Sequence, residues 1–176
     1  CDPKYKESSK IQVKAWLVKE WCRKPHQGKM NLNEWLKDEE IPGLEGIDTR
    51  KLTIITREAG TLRAVICTDG KMTPKQGVKK AQGMPWPSDS NLVSMVSTKR
   101  KYIRGRKGPK VSLFDWGVKQ SIVKNLAKQC QVTVVPWNYD IEKVKATNPD
   151  LVFMSIGPGD PDHEEMKPVV ETVRNI

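Results

Sequence analysis

Hydrophobic and polar positions change period several times along the chain. Ile11, Val13, Ala15 and Leu17 alternate with Gln12, Lys14 and Trp16, a period of two that predicts a strand within residues 11–22. Residues 32–40 switch to helical spacing, with Trp35 and Leu36 on one side and charges on the other, and Pro42-Gly43 ends the segment. Asp48 is placed to cap a second helix over residues 49–59, with Gly60 just past its end. The stripe of Leu52, Ile55 and Ile54 on that helix reads as a face packed into the core. Residues 61–67 return to β-like character.

Beyond residue 110 the alternation becomes regular. Residues 111–115 form a strand pattern, Asp115-Trp116-Gly117 a turn, and residues 118–129 an amphipathic helix with Ile122, Val123, Leu126 and Ala127 inward. Residues 131–136 are a β-branched strand, and residues 140–146 a short helix capped by Asp140. The apolar run over residues 151–155 reads as a short buried strand, stopped by Gly157-Pro158-Gly159. Asp160 and Pro161 are suited to the N-cap and first position of a further helix, which Pro168 kinks or restarts. The order strand, helix, strand, helix, strand, helix predicts a parallel sheet with right-handed crossovers. The expected fold class is α/β: a mixed α+β amino-terminal domain, partial, followed by the first half of a doubly wound parallel-sheet domain. In such sheets ligands sit beyond the carboxyl ends of the strands. The glycine turn at residues 157–159 is therefore the candidate site, because glycine can bring bare backbone N–H groups against a substrate oxygen. The competing reading is a tight strand-to-helix turn with no ligand.

Length and charge add two constraints. A chain of 176 residues holds one domain or two small ones. The net charge of +10 raises nucleic acid, an acidic membrane or an acidic partner. The cations concentrate in residues 99–110, where Lys99, Arg100, Lys101, Arg104, Arg106, Lys107 and Lys110 surround Gly105, Gly108 and Pro109. This stretch reads as a basic interdomain linker, giving domains over residues 1–98 and 111–176. Tyr102 could stack on a base, but few aromatics interleave and no nucleic-acid motif accompanies the run, so nucleic acid is not an expected partner. Cys1, Cys22, Cys67 and Cys130 form no CxxC pair. Cys22 and His26 are four apart, but His163 is the only other histidine, so no metal site is expected. Scattered cysteines of this kind are expected to be buried thiols in a reducing compartment. No apolar run approaches a membrane span of about 20 residues. The chain opens on Cys1 and closes on Ile176 inside an apparent helix, so truncation at both ends is expected.

Four blocks carry a family resemblance. They are Glu7-Ser8-Ser9-Lys10-Ile11-Gln12-Val13; Glu34-Trp35-Leu36 with Ile41-Pro42-Gly43-Leu44-Glu45-Gly46-Ile47-Asp48-Thr49-Arg50-Lys51-Leu52-Thr53; Asp115-Trp116-Gly117-Val118-Lys119; and Ser155 through Pro161. In this order and spacing, over nearly the whole chain, they resemble the glutamine-hydrolysing small subunit of carbamoyl-phosphate synthase, or the equivalent region of the fused enzymes. The second block is the most specific; other class I amidotransferases share the Gly-Pro-Gly turn but not that block in a preceding domain.

The resemblance implies that the carboxyl-terminal part is a class I glutamine amidotransferase domain. There a cysteine attacks the glutamine side-chain amide, forms a thioester and releases ammonia. The ammonia passes to a synthetase large subunit or fused synthetase domain and reacts with carboxyphosphate, made from bicarbonate and ATP, toward carbamoyl phosphate for pyrimidine and arginine synthesis. Gly157 and Gly159 match the two glycines of the family's glutamine and oxyanion pocket. ATP and magnesium are expected on the synthetase partner, with no cofactor in this chain, no membrane partner, and a cytoplasmic location, or an organelle in a eukaryote. The family's nucleophile elbow, Gly-Ile/Val-Cys-x-Gly-His/Asn-Gln, does not occur in these 176 residues. No catalytic residue is therefore expected in this chain, which should be inactive alone. Cys130, at a helix-to-strand junction, reads as a core thiol, and His163 as a first-turn helix residue. Ile156 replaces the family's usual asparagine, and Trp116 is unusual at its position. Asp2-Pro3-Lys4-Tyr5 adjoins the first block too closely to be matched to a family motif. The alternative function is a non-catalytic basic binding module, or a degenerate ammonia-dependent relative with an amidotransferase-like fold.

Overall fold

The structure is a computed structural model that describes residues 6–24 and 30–176. Cys1, the Asp2-Pro3-Lys4-Tyr5 stretch and His26 lie outside the described residues. The chain divides into two compact units, Cys1–Trp86 and Pro87–Ile176.

In the first unit, β1 (Trp16–Leu17) pairs in parallel with β2 (Gly43–Leu44). The alternation over residues 11–22 thus yields a strand of only two residues. Its partner is equally short, so no ladder reaches Ile11, whose N–H donates instead to Glu39 Oε2 at 2.9 Å. Between them lies α1 (Leu32–Asp38), closed by a capping box in which Asn31 and Glu34 satisfy each other's backbone N–H. Helix α2 (Thr49–Ala59) starts as the sequence predicts, with Asp48 accepting from the Lys51 N–H at 2.9 Å and Gly60 beyond its end. Its apolar stripe is not core: Leu52 is half-buried, Ile54 and Ile55 are exposed, and no residue of α2 is buried. No other described element packs closely along that face. Residues 61–67 form no strand. They lead instead to α3 (Pro74–Gln82), capped reciprocally by Thr73 and Gln76 and not anticipated from the pattern.

The second unit opens with α4 (Leu92–Val96), then β3 (Tyr102–Arg104), β4 (Lys110–Phe114), α5 (Gln120–Leu126), β5 (Gln131–Val135), α6 (Ile141–Lys145), β6 (Leu151–Met154) and α7 (Lys167–Arg174). The sheet order is β3-β5-β4-β6, with β4 parallel to both β5 and β6. Val111, Leu113, Val132 and Val134 cluster with Val123 of α5. Phe114 and Val135, of opposite parity on the same strands, cluster with Val144 of α6. Helices therefore cover both faces, as the doubly wound pattern predicts.

Several expectations change here. The basic stretch is not a bare linker: Tyr102–Arg104 pairs antiparallel with β5. Gly105 and Gly108 take positive φ and press so closely on the carbonyls of Cys130 and Gln129 that a Cβ would lie about 2 Å from them. Residues 87–98, grouped by the sequence with the first domain, belong to the second compact unit, where Val93 packs with Met166 and Val169. Strand β6 is not buried: Leu151 and Met154 are exposed because, among the described residues, β6 has a neighbour on one side only. Asp160 and Pro161 do not start the next helix. The Asp160 carboxylate accepts from the Asp162 N–H at 3.0 Å, forming a turn, and helical structure begins after His163 with a 3-10 segment that runs into α7. Pro168 sits in the first turn of α7, where its missing N–H costs nothing. Of the cysteines, Cys22 and Cys67 are exposed rather than buried, while Cys130 packs against the core as predicted. Among the described residues no helix is long and apolar enough to cross a membrane.

Candidate functional site

The chain leaves β4 for β5 on one side and then crosses to β6 on the other. The strand order therefore reverses between β4 and β6, and the crevice beyond their carboxyl ends is the switch point at which such sheets bind ligands. Asp115-Trp116-Gly117 follows β4 there, and Ser155 to Gly159 follows β6.

Both turns are set by buried polar side chains. The Asp115 carboxylate accepts from the N–H groups of Thr98 at 2.7 Å, Gly117 at 3.1 Å and Val118 at 3.0 Å. Ser155 Oγ accepts from the Trp116 N–H at 2.9 Å. The Trp116 indole donates to the Trp137 carbonyl at 3.2 Å, and the Trp137 N–H donates to Ser97 Oγ at 2.9 Å. Asp115 also acts at a distance: the Tyr102 hydroxyl is held above the usual tyrosine range first by burial and then by the Asp115 charge.

The glycines meet separate demands. A Cβ on Gly157 would lie 1.9 Å from the Trp116 carbonyl oxygen, so only glycine allows this approach. Gly159 has φ +97°, a conformation that side-chain-bearing residues rarely adopt. Among the described residues, neither donates its N–H to a protein acceptor. The turn borders a cavity of about 500 Å³, whose opposite wall is Met166 with Val169, Val170, Val173 and Arg174 of α7. Two glycine N–H groups on a largely apolar wall can bind a carbonyl oxygen and stabilise it as negative charge develops.

The structure thus brings Gly157 and Gly159 to one cavity wall, with the exposed Ile156 beside them. His163 is an N-cap rather than a first-turn residue, its Nδ1 accepting from the Glu165 N–H at 3.2 Å. Cys130 is absent from the cavity lining and packs against the β4–β5–α5 core. Sequence reasoning placed Asp115 and Ser155 within their blocks but missed their role as buried acceptors, for which the signal was a polar residue directly after an apolar strand, and it missed Ser97, which follows α4.

Residues 1–66 match the family model described as carbamoyl-phosphate synthase small chain, CPSase domain, and residues 112–176 match that of class-I glutamine amidotransferase. The chain is similar over nearly its whole length to curated carbamoyl phosphate synthase small chains. It is 40% identical over 173 residues to the carbamoyl phosphate synthase small chain of Bacillus caldolyticus, covering 97% of this chain and 46% of that relative. It is 41% identical over 174 residues to the small chain of Archaeoglobus fulgidus, covering 97% of this chain and 48% of that relative. A pyrimidine-specific small chain from Halalkalibacterium halodurans is 38% identical over 173 residues. The chain spans about half the length of the curated small chains it matches.

Proposed function

We propose that this chain is part of the glutamine-hydrolysing component of a carbamoyl-phosphate synthase, and that Gly157 and Gly159 form one wall of its glutamine and oxyanion pocket. The observation that carries this reading is the placement of both glycines, N–H groups unpaired, at the switch point between β4 and β6. Acyl transfer from glutamine needs donors aimed at the tetrahedral oxyanion, and a backbone without side chains supplies them at no steric cost.

The nucleophile is assigned outside these 176 residues. A thiolate attacking an amide needs an activating neighbour and a place in the pocket; Cys130 packs, partly buried, against the β4–β5–α5 core and is not among the residues that line the cavity. Ammonia released at this site must reach its acceptor unprotonated, which favours a protected path into a synthetase large subunit or fused synthetase domain. ATP and magnesium would act on that partner. The products would serve pyrimidine and arginine synthesis in the cytoplasm, or in an organelle of a eukaryote.

The test is ammonia release by the 176-residue polypeptide incubated with L-glutamine. The expected rate equals that of a boiled control. Robust release would place a competent nucleophile among Cys1, Cys22, Cys67 and Cys130 and overturn the assignment.

A further inference from the structure

We infer that Ser155 and Asp115 are positioning residues for the glycine turn, acting through the backbone of residues 116–118; as a role in glutamine binding this rests on the function proposed above. Four contacts carry it. The Gly157 backbone abuts the Trp116 carbonyl, so that any added Cβ would overlap it. A Cβ on Gly117 would lie 3.2 Å from Pro158 Cδ and 3.4 Å from Gly157 Cα, so the third residue of the β4 turn also lies against the β6 turn. The Trp116 N–H is held by Ser155 Oγ, across from β4 to the end of β6. The Gly117 and Val118 N–H groups are held by Asp115 Oδ1, whose other oxygen binds the Thr98 N–H.

The β4 turn is thus the mould against which residues 157–159 are set. Ser155 and Asp115 are 5% and 7% exposed, so water cannot readily replace the bonds they make. Ser155→Ala leaves the Trp116 N–H without its acceptor. Asp115→Asn keeps the shape, but its NH₂ must face at least one N–H donor, because both carboxylate oxygens accept. In either variant residues 116–118 shift, and the Gly157 backbone, in contact with them, shifts too. Neither side chain is assigned a bond to substrate.

The experiment uses the full ¹⁵N-labelled chain, with the amides of Leu113 and Val134 as the control for an intact sheet. Two readouts are followed: hydrogen exchange at Trp116, Gly117 and Val118, and the response of the Gly157 and Gly159 resonances to added L-glutamine. Ser155→Ala is expected to speed exchange at Trp116 by about tenfold or more, the cost of leaving a buried donor unpaired. It should weaken the glutamine response at both glycines by a similar factor, with Leu113 and Val134 unchanged. Ser155→Thr, which retains the hydroxyl, should restore both, and Asp115→Asn should speed exchange at Thr98 or at Gly117 and Val118, according to which donors its NH₂ faces. If Asp115→Asn loses the sheet, the Ser155→Ala and Ser155→Thr pair decides. Unchanged exchange and glutamine response in Ser155→Ala would overturn the inference. A wild-type chain whose glycines ignore glutamine would sink the proposed function instead; exchange in Ser155→Ala would then still decide whether Ser155 sets the turn.

Discussion

The two compact units reach order by different means. Among the described residues, twelve hydrophobic side chains are buried, eleven of them in the second unit and only Leu36 in the first. The second unit rests on a four-stranded sheet with apolar clusters on both faces. The described part of the first is held by caps, short backbone pairing and single polar clasps such as Glu39, which binds the Ile11 N–H and the Trp35 indole N–H. Yet the most specific sequence block, residues 41–53, lies in the first unit. Specificity of sequence and depth of packing are therefore separate properties. An amphipathic stripe such as that of α2 records that a face is suited to be covered, and the described residues of this chain do not cover it.

Core truncation draws that contrast most sharply. Leu113→Ala should cost about 2–5 kcal/mol of unfolding free energy in the second unit, whereas Ile55→Ala, at an exposed position, should stay within about 0.5 kcal/mol. Urea titration followed by amide resonances of each unit reads both, and equal costs would show that the α2 face is packed after all. Gly157→Ala comes next, at about 1–3 kcal/mol, since the new methyl group meets a backbone carbonyl that cannot rotate away. A variant as stable as wild type would break the close approach described here.

Acid should separate the units further. The Glu39 carboxyl is held below its ordinary range, first by the Ile11 N–H, then by the Trp35 indole. A depressed value means that its contribution is complete above the unfolded pKa and is lost as pH falls through the folded one. Lowering pH through the carboxylate range should therefore loosen residues 11 and 35, seen as faster amide exchange at Ile11 and altered indole N–H shift at Trp35. Glu39→Gln should be less sensitive to acid at both positions, and matching acid responses in wild type and variant would remove Glu39 from the account. The smallest effect is at Tyr102. Its raised value means that the neutral form is favoured by folding, a contribution present below the unfolded pKa and lost as pH rises through the folded one. Tyrosinate absorbance should show a tyrosine titrating above the ordinary tyrosine range, and Asp115→Asn should lower it; no such late titration would contradict it.

Much of the second unit was legible because its strands carry local information. Residues 132–135 are β-branched, residues 122–127 have helical spacing, and glycines punctuate the turns. The edge position of β6 was not legible, since an apolar run of four or five residues reads alike at an edge or in a centre. Strand β3 was hidden because Lys and Arg suit an exposed edge strand as well as a linker. In the first unit the alternation at residues 11–17 found too short a partner to become a sheet. At the site, Gly157 and Gly159 were legible from motif and strand end together. The turn at Asp115 beneath them was legible too, but not the bonds that hold it, because they join residues 97–98, 115–118 and 155, which are distant in sequence.

The central claim is that the turn after β6 faces glutamine. The most direct measurement is a titration of the ¹⁵N-labelled chain with L-glutamine, with L-asparagine, one methylene shorter, as the control. Saturable changes are expected at the Gly157 and Gly159 amides with glutamine, weaker ones with asparagine, and none at Gly60 or Gly83 in the first unit. Changes confined to other residues, or none at any concentration, would contradict it.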